Sequence, residues 1–401
     1  MKNKMLSAAE AMQEELVVYR RGLHENPEIG MELPNTAAFV KEKLEKMGYS
    51  NVKYVAKTGV TAMAGGKRPG KVILLRGDMD ALPVEEETDE PFKSTNGYMH
   101  ACGHDFHTVM LLGAAKILKE YEDELEGTVK FMFQPGEEVL AGAKAMVENG
   151  ILETPKVDAA VMFHVASGMP IPTGTIVIPG EGAFSSASDW FKIDIQGKGG
   201  HGAMPEKSID PLLILSNLHI ALQAIRSREI ASGANAVVTV GKMQGGTTSN
   251  VIPDTASMEG TIRTYDKEDR ELILRRVAEI AEGVATTYRG KANTVITEGC
   301  PSVVVDRKVS ADIREALTEM FGIEKVPPEE LIGMGKMSGS EDFAFITEKV
   351  PSLMMMLSAG SIEEGYEFSM HHPKVRFHEA VLSQGAAAYA YSAYSWLQKN
   401  K

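Results

Sequence analysis

The sequence predicts an α/β protein, a mostly parallel sheet with helices on both faces, carrying an inserted ferredoxin-like α+β domain. Three observations lead there. At 401 residues the chain is longer than one hydrophobic core usually serves, so two domains are expected. The first half alternates apolar strands with amphipathic helices, the rhythm of a parallel sheet covered on both sides. From residue 186 the order becomes strand, helix, strand, strand, helix, strand, the ferredoxin-like pattern. The expected boundaries are 1–185 for the first part of the main domain, 186–298 for the insertion and 299–401 for the remainder.

Taken in order, Ser7 to Glu10 has the form of a capping box, and Ala9, Met12, Leu16, Tyr19 and Leu23 continue one amphipathic helix at three- and four-residue steps. Pro27 turns the chain, and His24 is expected to cap the helix exit. A second helix over 36–47 stops at Gly48, the residue that suits a left-handed C-terminal position. The apolar run 71–76 reads as a central strand and delivers Asp78 and Asp80 at its end. A helix over 108–121 precedes the strand 128–134, which runs through Pro135-Gly136 into Glu137 and Glu138 and a helix ending near Gly150. The strand 157–163 ends on His164. In the insertion, strands are expected at 188–196, 236–242, 256–264 and 292–297, with helices at 211–228 and 267–288. The remainder supplies a helix over 308–320, the motif Ser338 to Phe343, a strand over 353–357, the pair His371-His372 before Pro373, and a final helix rich in Ala and Tyr.

A net charge of −13 argues against nucleic acid or an anionic membrane as partner. Two cysteines make no disulfide framework, and the N-terminus lacks the apolar core of a signal peptide, so a reduced, cytoplasmic protein is expected. Every apolar run is far shorter than the roughly 20 residues of a membrane span.

The densest chemistry lies in 99–108, Met-His-Ala-Cys-Gly-His-Asp-Phe-His-Thr, which gathers three of the ten histidines and one of the two cysteines. If this stretch is extended, His100, Cys102 and His104 face one point, a plausible metal site. Sites in parallel sheets lie at the carboxyl ends of the strands, and the residues expected there are Asp78, Asp80, Glu137, Glu138 and His164. Two divalent ions roughly 3.5–4 Å apart need several donors and a bridge. Cys102, His104, Glu138, His164 and one of His371 and His372 meet that demand if the Cys102 thiolate bridges. Glu138 is then assigned to metal and Glu137 to proton transfer, from a water that the ions acidify to a leaving amine.

Each residue also has a plainer reading. Adjacent glutamates suit the positive end of any helix. His164 fits a buried, hydrogen-bonded histidine, His371 and His372 fit a turn before proline, and His219 and His378 fit packing and capping. All of these holding together at successive strand ends is the weaker account.

The chain also resembles the aminoacylase and carboxypeptidase family of dinuclear metallopeptidases, in its amidohydrolase branch of hippurate hydrolases, N-acyl-amino-acid deacylases and auxin-conjugate hydrolases. The motifs that carry this run nearly end to end: Arg21-x-x-His24-x-x-Pro27-Glu28, Asp78-Met-Asp80-Ala-Leu-Pro83, His100-Ala-Cys-Gly-His-Asp-x-His-Thr108, Gln134-Pro-Gly-Glu-Glu138, Gly197-Lys-Gly-Gly-His201-Gly, Ser249-Asn-Val-Ile-Pro253, Gly260-Thr-x-Arg263, Ser340-Glu-Asp-Phe343 and His371-His-Pro373. The resemblance implies two divalent ions, Zn, Mn, Co or Ni, held by Cys102 as bridge, His104, Glu138, His164 and, of the pair, His371. It implies Glu137 as general base and His201 reaching the partner subunit's active site to hold the substrate oxyanion, hence a homodimer built through the inserted domain. Asn250 and Arg263 are implied to contact the carbonyl or carboxylate of an N-acyl amino acid, and Asp80 to orient a histidine. Phe106, Glu206 and the stretch 375–378 depart from the family pattern, which bears on substrate range. The expected reaction is hydrolysis of the amide of an N-acyl amino acid. The rivals are a dipeptidase or carboxypeptidase with the same machinery, and a non-catalytic binding protein.

Overall fold

A computed structural model describes residues 1–329 and 335–401 of the chain, in two compact units. The first comprises Met1–Gly182, Val304–Gly335 and Asp342–Lys401, and the second Ala183–Val303 and Lys336–Glu341.

The first unit is built on a seven-stranded sheet in the order Lys53–Val55, Gly59–Gly65, Gly127–Gln134, Lys71–Asp78, Ala159–Ala166, Ser352–Ser358 and Ile176–Val177. The four central strands run parallel, and the remaining three add antiparallel edges. The run Val72-Ile-Leu-Leu75 is buried, as an apolar strand covered on both faces must be. From Lys71–Asp78 the chain crosses to Gly127–Gln134 on one side and then to Ala159–Ala166 on the other. That reversal makes the gap between Lys71–Asp78 and Ala159–Ala166 the topological switch point, where α/β sheets bind ligands.

The gap is held open by side chains. Backbone pairing between these two strands runs from Ile73↔Ala159 to Arg76↔Met162. Beyond it, the Tyr389 hydroxyl donates to the Arg76 carbonyl at 2.7 Å and accepts from the Phe163 N–H at 2.8 Å. His107 Nε2 accepts the Val165 N–H at 2.8 Å. Tyr389 lies on the helix Val381–Lys399, which packs against the helix His104–Glu120. Gly113 permits that approach, since a Cβ there would lie 2.7 Å from the Ala386 Cβ.

Two expectations change at the N-terminus. One continuous helix is expected, but Met12 at φ −97°, ψ −2° separates the helices Lys2–Ala11 and Gln13–Glu25, and Ser7 lies inside the first instead of capping it. His24, expected to cap the helix exit, is instead 2% exposed and bridges Asp105 at 2.8 Å and Glu86 at 3.2 Å.

In the second unit, four antiparallel strands lie in the order Ala236–Gly245, Thr255–Thr264, Ala187–Gln196 and Lys291–Glu298. With the helices Pro211–Ala224 and Lys267–Thr287 this is the ferredoxin-like arrangement. The core is apolar: Phe191, Ile193 and Ile195 from the central strand meet Leu218 and Leu222 of one helix and Ile273 and Val277 of the other. Asp210 and Asp266 cap these helices, each accepting two backbone N–H bonds.

Candidate metal centre

The stretch 99–108 is not extended. Gly103, at φ +86°, turns the chain directly into the helix His104–Glu120, so Cys102 and His104 converge through a left-handed turn and not through strand alternation. His100 belongs to none of the donor groups of the cluster and lies with its ring 6.3 Å from that of His24. It is 2% exposed, and neither ring nitrogen has a hydrogen-bond partner.

Five expected ligands lie together in the first unit. Cys102 Sγ is 3.5 Å from His164 Nε2 and 3.3 Å from His371 Nε2. Glu138 Oε1 is 3.9 Å from His104 Nε2 and 3.8 Å from His371 Nε2. Among the described residues, Cys102, His104 and His164 form one group whose donor atoms lie within 4.8 Å of one another, and Cys102, Glu138 and His371 form another. Cys102 belongs to both. His371 adopts φ +69°, and its neighbour His372 instead stacks on Phe368 at 4.2 Å. His164 lies within the strand Ala159–Ala166 and not beyond its end, but opposite the gap that Tyr389 and His107 keep open.

The second layer fixes these groups. His104 Nδ1 meets the Asp80 carbonyl at 2.8 Å and His164 Nδ1 the Val165 carbonyl at 2.6 Å, which leaves Nε2 of each ring as the donor atom for a cation. The Asp80 carboxylate accepts the N–H groups of Glu137 at 2.9 Å and Glu138 at 3.1 Å. The break at Pro135-Gly136 thereby turns both glutamates toward the site: His104 Nε2 is 3.9 Å from Glu137 Oε2 as well. Asp78, expected at a strand end but given no ligand role, and His107, not singled out from the sequence, form with His104 a further group of donors within 4.8 Å. The available signal was the three-residue step from His104 to His107, which shares a helix face.

A metal fits these residues. His104 Nε2 and Glu138 Oε1 are buried with no hydrogen-bond partner, a costly state unless something else satisfies them. Burial, assisted by Asp80 and Asp78 and opposed by His104, pushes the Glu138 carboxyl up to about 7. Burial also pushes the Cys102 thiol well up, with Glu138 and Glu137 adding to it against His104. Donors driven toward protonation by their own surroundings are what divalent cations deprotonate and hold.

Three expected residues lie in the second unit. His201 is in the short strand Gly200–His201, paired with Val251–Ile252, and the Gly202 N–H donates to the Asn250 carbonyl at 2.9 Å. His201 and Asn250 are thus neighbours and both exposed. Arg263, on the strand Thr255–Thr264, donates to Ser188 and lies over the Trp190 ring at 5.7 Å. Of the departures from the family pattern, Phe106 is fully buried against Phe377 at 5.5 Å and against the Arg20 guanidinium, so these two aromatics pack the protein interior.

The model of peptidase family M20/M25/M40 matches residues 74–395. The chain belongs to this family. It is 37% identical over 385 residues to the N-acetylcysteine deacetylase of Bacillus subtilis, covering 96% of this chain and 97% of that protein. It is 38% identical to the IAA-amino acid hydrolase ILR1-like 4 of Arabidopsis thaliana, over 96% of this chain and 86% of that one. Among solved structures, a dinuclear metal binding peptidase of the M20 family from Bacillus subtilis superposes with a TM-score of 0.82 at 34% identity, over 97% of this chain and 99% of that one. This M20 protein is therefore a metal-dependent amide hydrolase, and its two overlapping donor groups are suited to divalent cations.

Proposed function

We propose that this M20 enzyme hydrolyses the amide bond of small N-acyl amino acids. The observation that carries the reading is the pairing of Glu137 with Glu138 at the strand end: two adjacent glutamates whose backbone N–H groups donate to the one Asp80 carboxylate and whose own carboxylates both lie 3.9 Å from His104 Nε2. Cys102, His104, Glu138, His164 and His371 would hold the two ions, which when bound would polarise the scissile carbonyl and acidify a water. Glu137 takes the proton of the attacking water and delivers it to the leaving nitrogen. His201 steadies the developing oxyanion, and Asn250 and Arg263 orient the substrate's carbonyl and carboxylate. Zn, Mn, Co and Ni all suit a mixed thiolate, imidazole and carboxylate set.

In this reading the enzyme is a homodimer through its inserted domain, with His201 serving the partner's site. Support comes from Ala236–Gly245, which lies at the edge of its sheet among the described residues, and the exposed apolar side chains Leu213, Ile220 and Val237 of the second unit. A reduced, cytoplasmic setting accords with Cys102 and Cys300, which form no disulfide. Among the described residues no helix is long and apolar enough to cross a membrane.

The test is a panel of N-acetyl amino acids, N-benzoyl amino acids and unblocked dipeptides, assayed on chelator-stripped protein reloaded with each metal in turn. Turnover of the acylated substrates well above the dipeptides is expected. Preference for unblocked dipeptides under every metal would replace this reading with a dipeptidase.

A further inference from the structure

One guanidinium sits at the centre of the polar layer behind the candidate ligands. Arg76, on the strand Lys71–Asp78, has a side chain 0% exposed. Its Nε donates to Gln134 Oε1 at 2.8 Å, Nη1 to Asp78 Oδ2 at 2.7 Å and Nη2 to Asp342 Oδ1 at 3.0 Å. A buried cation is tolerated only when it is paired and hydrogen-bonded, and Arg76 meets two carboxylates.

Each carboxylate has a second partner that leads to the site. Asp78 Oδ1 meets His107 Nδ1 at 2.5 Å, and Asp78 Oδ2 lies 3.5 Å from His104 Nε2. With Arg76 on one oxygen and His107 on the other, Asp78 is an anchor for the histidine face of the helix His104–Glu120. Asp342 accepts from Gln134 Nε2 at 2.7 Å and from the Ala143 N–H at 2.9 Å, and its own N–H donates to Glu137 Oε1 at 3.4 Å.

We propose that Arg76 is a positioning residue with two arms: through Asp78 it sets the His104 and His107 face of the metal cluster, and through Asp342 it sets the peptide donor that aims Glu137. The second arm rests on the assignment of Glu137 as base. The first does not. A residue that merely filled space would disturb both functions together, whereas the two arms are separable.

The experiment uses the full chain, with Zn affinity read by chelator competition beside kcat and KM on an N-acetyl amino acid at saturating metal. Arg76→Lys keeps the charge but loses the planar fork, so metal affinity and kcat are both expected to fall about tenfold or more, with KM within about twofold. Asp342→Asn leaves the Arg76 and Asp78 pair in place, so affinity is expected within about threefold of the parent while kcat falls about tenfold or more. Equal loss of affinity in both variants, or no change in either, overturns the proposal. So does an Asp342→Asn protein that fails to fold, since that carboxylate would then serve the fold alone. If only Arg76→Lys fails to fold, the Asp342→Asn split decides. Failure of the functional reading shows separately: parent enzyme that binds metal but leaves N-acyl amino acids intact removes that reading, while the affinities still report on the Arg76 and Asp78 arm.

Discussion

The two units bury different things. The first encloses Arg76, Asp78, Asp80, His104, Asp105, His107 and Asp342, each 0% exposed. The second fills its interior with Ile, Leu, Val and Phe. Its buried Asp189 is matched by Arg270 at 2.7 Å and 2.8 Å, a pairing that needs no further partner to be understood. Apolar burial stabilises a fold without further conditions, while buried charge is costly and persists where it does chemistry. The contrast therefore points to the first unit as the place of the candidate metal centre from physical cost alone.

Four experiments sharpen or break that contrast. Glu137→Gln should cut kcat by about 10³-fold, near 4 kcal/mol of barrier, with metal content unchanged; a variant that keeps a tenth of the parent rate removes Glu137 as base. In the second unit, Leu218, fully buried beneath the sheet, should cost about 3 kcal/mol when changed to Ala, read by urea unfolding. Metal affinity of the Leu218→Ala protein should match the parent, and a loss would show that the apolar unit also shapes the metal cluster.

The third concerns pH. Burial and Arg20 oppose a charge on His24, but Asp105 and Glu86 on either side outweigh them and raise its pKa above the usual histidine value. The stability His24 adds is therefore complete below about pH 6.5 and declines as pH rises through its folded pKa, by at most about 1.4 kcal/mol per pH unit. Unfolding free energies of the parent and His24→Gln should converge between neutral and alkaline pH; curves that stay parallel would show that His24 is neutral in the fold. Last, Val18 is 67% exposed in the first unit, and Val18→Ser should change stability by less than about 0.5 kcal/mol.

The architecture was legible because it depends on local pattern. Apolar runs, helical periodicity and the switch at residue 186 are readable within short windows, and the strand-end rule brought Glu137, Glu138 and His164 to one place in advance. Boundaries were less legible: Met12 divides one expected helix, and Gly103 converts an expected extended stretch into a turn. Least legible were partners far apart in sequence. Arg76 and Asp342 are separated by 266 positions and His371 and Cys102 by 269, and no periodicity links residues at that distance. His24 reads as a polar residue before proline, and only the fold surrounds it with Asp105 and Glu86.

The Tyr389 hydroxyl takes the place of a strand-to-strand hydrogen bond: it accepts from the Phe163 N–H and donates to the Arg76 carbonyl, groups 226 and 313 positions away in the chain. One phenolic oxygen thus stands in for a rung of the ladder, so the two strands stay joined while standing apart next to His164, whose Nε2 meets Cys102 Sγ. The notch beside the cluster is a bridged opening and not a break in the sheet, and its width is set by the length of a single O–H···O and N–H···O pair.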